Sequence, residues 1–210
     1  DGGYGIGVDS PGNIYVAGTV HDAVTDFDML LLKISPVGTK LWEQRYDGPG
    51  VWDEATALAV ESGTNAVVLA GFSQGYWVTQ KFTSAGVRSW AVEEPAGWWD
   101  VSPVAVGIDG TGNIVVCGTQ DMVDGAYYYD MGVIKYGTDG TRQWSRAFNG
   151  VSSGPDVPKG MCVEPDGDIF VVGYAASDLD LIASDAVLVK WKPDGTQAYA
   201  MTYNASGSGF

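Results

Sequence analysis

The chain has 210 residues, with 26 acidic side chains against 11 basic ones, a formal net charge of −15 and no Lys/Arg cluster. Such a surface repels a nucleic-acid backbone or an anionic membrane, while cations and basic partner surfaces stay compatible with it. No apolar run is long enough to cross a bilayer, no signal peptide is recognisable, and two cysteines are too few for a disulfide framework.

In chain order, GIGVD (5–9) alternates small and large residues and ends on a carboxylate, and SPGN (10–13) reads as a turn. IYVAG (14–18) is β-branched and aromatic, so it reads as a second strand. A polar stretch to Asp26 precedes FDMLLLKIS (27–35), the third strand. SPVGT (35–39) turns the chain into KLWEQRYDG (40–48), whose alternation suits a half-exposed outer strand. Nothing between these segments has capped helical periodicity. The plan then recurs, with first strands at TALAV (56–60), VAVGI (104–108) and KGMCV (159–163), each followed by an acid.

The recurrence has two anchors. An apolar run closes on Gly18, Gly71, Gly118 and Gly173, and a lysine stands nine residues before an aromatic in Lys33/Trp42, Lys81/Trp90, Lys135/Trp144 and Lys190/Tyr199. A period of about 50 residues marks one copied supersecondary unit. Four antiparallel strands per unit without helices predict an all-β fold, a β-propeller with four four-stranded antiparallel blades. The expected domain is 1–210, with blades at about 1–52, 53–99, 100–155 and 156–210. The slim positions Gly5/Gly7, Ala57/Ala59, Ala105/Gly107 and Gly160/Cys162, set between bulky ones, predict that neighbouring blades interlock. Cys117 and Cys162 occupy such small-apolar slots and read as buried free thiols.

The pattern of small–large–small–large–Asp, then GNIYVAG, DMLLLK and a turn before Trp, resembles the SBBP-type repeats of bacteria and archaea, named for a seven-bladed β-propeller. Copies one, three and four carry it most clearly. Copy two departs, with Tyr76 where the others place Asp28, Asp130 and Asp185. The resemblance implies an exported or surface protein and supplies no catalytic motif. The chain starts at Asp1 without methionine, as a processed product or excised segment would. Phe210 joined to Asp1 mimics the internal junctions, so a whole number of blades is expected. A closed four-bladed ring, a ring completed by a second copy, and a segment of a longer propeller all satisfy this.

The loops between second and third strands hold Asp22, Asp26, Asp121, Asp124, Asp178 and Asp180, which as clustered carboxylates suit a hard cation such as Ca²⁺; no other cofactor is expected. They equally suit a solvated acidic rim, and Asp28, Asp130 and Asp185 read as turn caps. Trp98 and Tyr127, Tyr128 and Tyr129 fall outside the repeat and are candidates for stacking on a glycan or anchoring a protein. Trp52 and Trp99 read instead as packing between blades. Asn204 opens a glycosylation sequon. With no nucleophile, Walker or zinc motif and one histidine, no catalytic residue is expected. The expected role is a non-catalytic extracellular or cell-surface module, structural or binding, whose partners are proteins or copies of itself, assembled into a ring or filament. A propeller that binds a glycan or Ca²⁺ on its loop face is the alternative. Nucleic acid and membrane insertion are not expected.

Overall fold

Short β-branched runs separated by Gly-rich turns leave each strand only its sequence neighbours to pair with, and the computed structural model has sixteen strands in four such meanders. It describes residues 1–24, 26–48, 52–97, 101–121, 129–150, 154–176 and 184–204. The first sheet holds β1 (Gly2–Val8), β2 (Ile14–Asp22), β3 (Asp26–Ile34) and β4 (Lys40–Tyr46), and the second β5 (Asp53–Val60), β6 (Val67–Ser73), β7 (Tyr76–Phe82) and β8 (Arg88–Pro95). The third holds β9 (Pro103–Ile108), β10 (Ile114–Asp121), β11 (Tyr129–Tyr136) and β12 (Arg142–Phe148), and the fourth β13 (Asp156–Val163), β14 (Ile169–Ala176), β15 (Ser184–Trp191) and β16 (Gln197–Tyr203). Each sheet is antiparallel in sequence order. Two compact units result, Asp1–Trp98 with the first two sheets and Trp99–Phe210 with the last two.

In the first copy the polar stretch before Asp26 is mostly strand, since the pairing of β2 with β3 runs to Asp22 opposite Asp26. A second device was hidden in the sequence. The innermost strand of every sheet bulges at one place, between Gly3 and Gly5, Ala55 and Ala57, Pro103 and Ala105, and Pro158 and Gly160. The bulge pushes a carbonyl against the glycine that ends the apolar run. A Cβ on Gly71 would stand 2.0 Å from Glu54 O, and one on Gly173 2.1 Å from Val157 O. Backbone cannot yield there, so only glycine fits.

Within each unit the core lies between the two sheets. Tyr15, Ala17, Met29 and Leu31 meet Ala55, Val67, Leu69, Val78 and Phe82 in the first unit. Val115, Cys117, Met131 and Val133 meet Ile169, Val171, Val187, Val189 and Trp191 in the second. Each large side chain buried there contributes roughly 1.5–3 kcal/mol. The slim positions work as expected. A Cβ on Gly7 would fall 2.7 Å from Leu58 Cδ1 and 2.8 Å from Val60 Cγ2, and one on Gly107 would fall 2.6 Å from Val163 Cγ2. Both cysteines are free, but only Cys117 is buried; Cys162 is exposed, against expectation. It stands on the slim side of the fourth sheet, where Gly160 has only Val172 of its own sheet within 4 Å.

Candidate functional site

The polar groups of the repeat converge on the blade joints. The acid that ends the first strand accepts hydrogen bonds from the following turn: Asn13 N donates to Asp9 Oδ1 at 2.7 Å, and Asn113 N to Asp109 Oδ1 at 3.0 Å. The repeated lysine then pairs with this acid, Lys33 to Asp9 at 3.2 Å, Lys81 to Glu61 at 3.0 Å and Lys135 to Asp109 at 3.0 Å. In the fourth copy Lys190 takes Asp168 instead. Burial alone would raise the Asp109 carboxyl, but hydrogen bonds from Asn113, Thr111 and Lys135 overcome it and bring it to about 2. Asp9 is lowered for the same reasons, with Asn13 and Lys33 outweighing burial. Lysine charges held this way serve as ties.

The same lysine and the aromatic nine residues on reach the next blade. Lys33 Nζ and Trp42 Nε1 both donate to Ser84 O, at 2.9 and 3.2 Å, and Lys135 Nζ and Trp144 Nε1 both donate to Pro193 O, at 3.4 and 3.0 Å. Each indole lies on a glycine of that turn, where a Cβ on Gly86 would be 3.0 Å from Trp42 Cδ2 and one on Gly195 2.9 Å from Trp144 Cδ2.

A second polar group at the joint is made of carboxylates. A parallel bridge joins Phe27 to Trp52, and their rings stack with centroids 4.3 Å apart. Trp52 thus packs between blades as expected, although 47% of it stays exposed. The bridge sets Asp28 of β3 beside Asp53 of β5, and Asp47 joins them, so that one oxygen from each lies within 4.8 Å of the others. Asp28 and Asp53 are buried and Asp47 is exposed. Gly48 N donates to Asp53 Oδ2, and the buried Ser73 hydroxyl lies against the same carboxyl. Burial pushes the Asp53 carboxyl up; the nearby Ser73 hydroxyl and the Gly48 amide oppose this, and the charges of Asp47 and Asp28 add to it. In the second unit Asp156 of β13 is pushed up to about 6, by burial outweighing the amides of Gly150 and Ala176.

Of the residues expected to act, Asp22 ends β2 opposite Asp26, which is exposed with φ of 65°. Asp121 ends β10 opposite Tyr129, the half-buried first residue of β11. Trp98, Asp124, Tyr127, Tyr128, Asp178 and Asp180 lie outside the described residues. Asn204 is half-buried, and its Nδ2 donates to Asp185 Oδ2 at 3.5 Å. The trio of Asp28, Asp47 and Asp53 was not foreseen. A signal for it existed: copy two, which has Tyr76 in place of the aspartate, also has Pro95 where the others carry Asp47, Asn149 and Asn204.

The chain matches a crystal structure of a protein from Lactobacillus plantarum, a Northeast Structural Genomics Consortium target, with a TM-score of 0.59 at 14% identity over 98% of its own length. A crystal structure described as the eukaryotic initiation factor is matched over 97% of this chain and 56% of that one, with a TM-score of 0.47 and 6% identity. No protein-family model and no curated relative matches. The chain spans 57% of the Lactobacillus plantarum protein, so its extent is just over half of that chain. That likeness is one of fold, an all-β propeller, here with four four-stranded antiparallel blades.

Proposed function

We propose that this chain is a non-catalytic propeller module of the SBBP-repeat type, acting outside the cell or at its surface as a structural and binding unit, with further copies of itself as its first partner. The observation that carries the reading is one blade joint, made twice in the same way and half-presented on the first blade and on the fourth. In each made joint a later blade's bulky first-strand residues face an earlier blade's slim ones, and an earlier blade's indole lies on a later blade's glycine. The first blade shows solvent the later-blade half: Ile6 is 73% exposed, Val8 59%, and nothing lies within 4 Å of a Cβ on Gly38. The fourth blade shows the earlier-blade half, with Cys162, Val172, Tyr199 and Met201 exposed. By analogy with the two made joints, the slim face of the fourth blade would receive the bulky face of the first. Such a heterologous contact between copies either closes a ring or grows a filament. The polar residues of the repeat support the non-catalytic part, since the lysines and their acids are committed to ion pairs.

A Val8→Cys variant tests the contact, because native Cys162 would face position 8 of the next copy. Mild oxidation should give disulfide-linked dimers and higher species, and sedimentation of the unmodified chain should show concentration-dependent oligomers. Cys162→Ser in the same background should abolish the cross-link. A monomer by sedimentation, or a cross-link formed only within one chain, overturns self-association.

A further inference from the structure

We propose that a cavity between the third and fourth blades binds a short alkylammonium group, the chemistry shared by a free primary amine and the end of a lysine side chain. The cavity is lined by residues of the second unit and has a volume of about 220 Å³. That is below the roughly 300–1,000 Å³ of sites for drug-sized molecules, so it suits one small group. Phe148 of β12, Ala175 and Ala176 of β14 and Ala200 of β16 give it apolar walls, and Asp185 of β15 supplies a carboxylate. The first joint shows that the space comes from the residues of this pair of blades. There Tyr46, Ser73, Tyr76 and Glu93 stand where this joint has Phe148, Ala175, Asp185 and Thr202, and the Tyr46 hydroxyl donates across to Glu93 Oε1 at 2.6 Å. Phe148 lacks the hydroxyl and Thr202 the reach for that bridge, and a gap is left.

Charge and shape select the ligand. Asp185 is half-buried, and the fully buried carboxyl of Asp156 stands behind the cavity floor: a Cβ on the lining residue Gly150 would be 2.9 Å from Asp156 Oδ1. Among the described residues neither acid pairs with a lysine or arginine. Arg146, two residues before Phe148 on the same strand, donates to Gly195 O and Ser145 O instead. Burial pushes the Asp156 carboxyl up to about 6, outweighing the amides of Gly150 and Ala176, and no positive side chain offsets it. A cleft lined by one sign of charge with apolar walls concentrates ions of the other sign. The kind of cation follows from the donors. A calcium ion wants six to eight oxygens, and walls with this much carbon do not offer them. A guanidinium takes a carboxylate by both oxygens, but Asp185 Oδ2 already accepts from Asn204 Nδ2 at 3.5 Å. An ammonium needs only the other oxygen, and its alkyl stem lies along Phe148 and the alanines.

The test titrates the whole chain near neutral pH, by saturation-transfer NMR, with n-butylammonium and with n-butanol as its uncharged match. Butylammonium should bind with a Kd on the order of 1–10 mM, the affinity that so few atoms supply, and added salt should weaken it. Butanol should bind about tenfold more weakly, and Asp185→Asn should cost butylammonium about the same factor, the loss of a charged hydrogen-bond partner. Ala200→Leu, at an exposed lining position, fills the cavity and should abolish binding while the circular dichroism stays unchanged. Asp47→Asn, in the first joint, should leave binding as it was. A lysine-bearing peptide tells the two sources apart. Tighter binding than butylammonium assigns the cavity to a protein's lysine, and weaker binding assigns it to a free amine. Absence of saturation transfer from butylammonium, equal binding of butanol, or binding that survives both Asp185→Asn and Ala200→Leu overturns the proposal.

Discussion

Gly86→Ala measures the hold that one blade has on the next, and Gly63→Ala is its reference. Both glycines lie in turns of the second blade with positive φ, 84° and 88°. A Cβ on either carries the left-handed cost, about 1–2 kcal/mol. They differ in surroundings. Nothing lies within 4 Å of a Cβ on Gly63, whereas one on Gly86 would meet Trp42 at 3.0, 3.2 and 3.4 Å. The indole cannot simply back away: Nε1 is bound to Ser84 O at 3.2 Å and the ring sits edge-on to Tyr15 with centroids 5.8 Å apart. Overpacking against a fixed neighbour adds about 1–3 kcal/mol. In a chain of this size 1 kcal/mol moves the melting temperature by about 2–4 °C. Gly63→Ala should thus lower it by a few degrees and Gly86→Ala by about twice as much, with a change in Trp fluorescence only in the latter. Equal losses in the two variants, with unchanged fluorescence, would refute the view that Trp42 clamps the second blade through that turn.

Lys135→Met leaves Asp109 charged and buried, since both side chains of the pair are under 5% exposed, and should cost about 3–5 kcal/mol in urea unfolding. Lys40→Met, which removes a 61% exposed lysine from its pair with Glu43, should change stability by less than about 1 kcal/mol. Asp109, held at about 2, is lowered from the ordinary carboxylate value. The stability it contributes is therefore complete above pH ~4 and lost as pH falls from there through 2. That acid limb should vanish in Asp109→Asn. Asp156 has the opposite sign: at about 6 its folded form holds a proton that the unfolded chain has released, so stability falls as pH rises from ~4 through 6. Asp156→Asn should raise the melting temperature above pH 7, by up to about 3 kcal/mol in stability, and change little at pH 4. A variant less stable at pH 8 would contradict this. Cys162 should react with a thiol reagent in the folded protein, while Cys117, buried and pushed up to about 12 by burial, should react only after unfolding.

Local pattern carried the fold. Strand runs such as NIYVAG and turns such as SPVG need only period and Gly/Pro placement, so four meanders could be read before any contact was known. The slim first-strand positions were legible too, because the same residue sizes return in every copy; Gly7 against Leu58 and Gly107 against Val163 are their outcome. What stayed hidden depends on register. The glycine closing each apolar run looked like punctuation, and its real constraint is a carbonyl pushed 2.0 Å from the missing Cβ by a bulge on another strand. The carboxylate trio was hidden for the same reason, since Asp28 and Asp53 become neighbours only through a bridge between two sheets. Read singly, Asp28 passes for a turn cap, and Asp47 for the polar end of an outer strand. Their meaning lies in being lost together, at Tyr76 and Pro95, residues that pair directly across β7 and β8 in the second sheet. Repetition therefore works in two ways here. Positions kept in every copy report the scaffold, and positions that change in concert report contacts that no single copy could disclose.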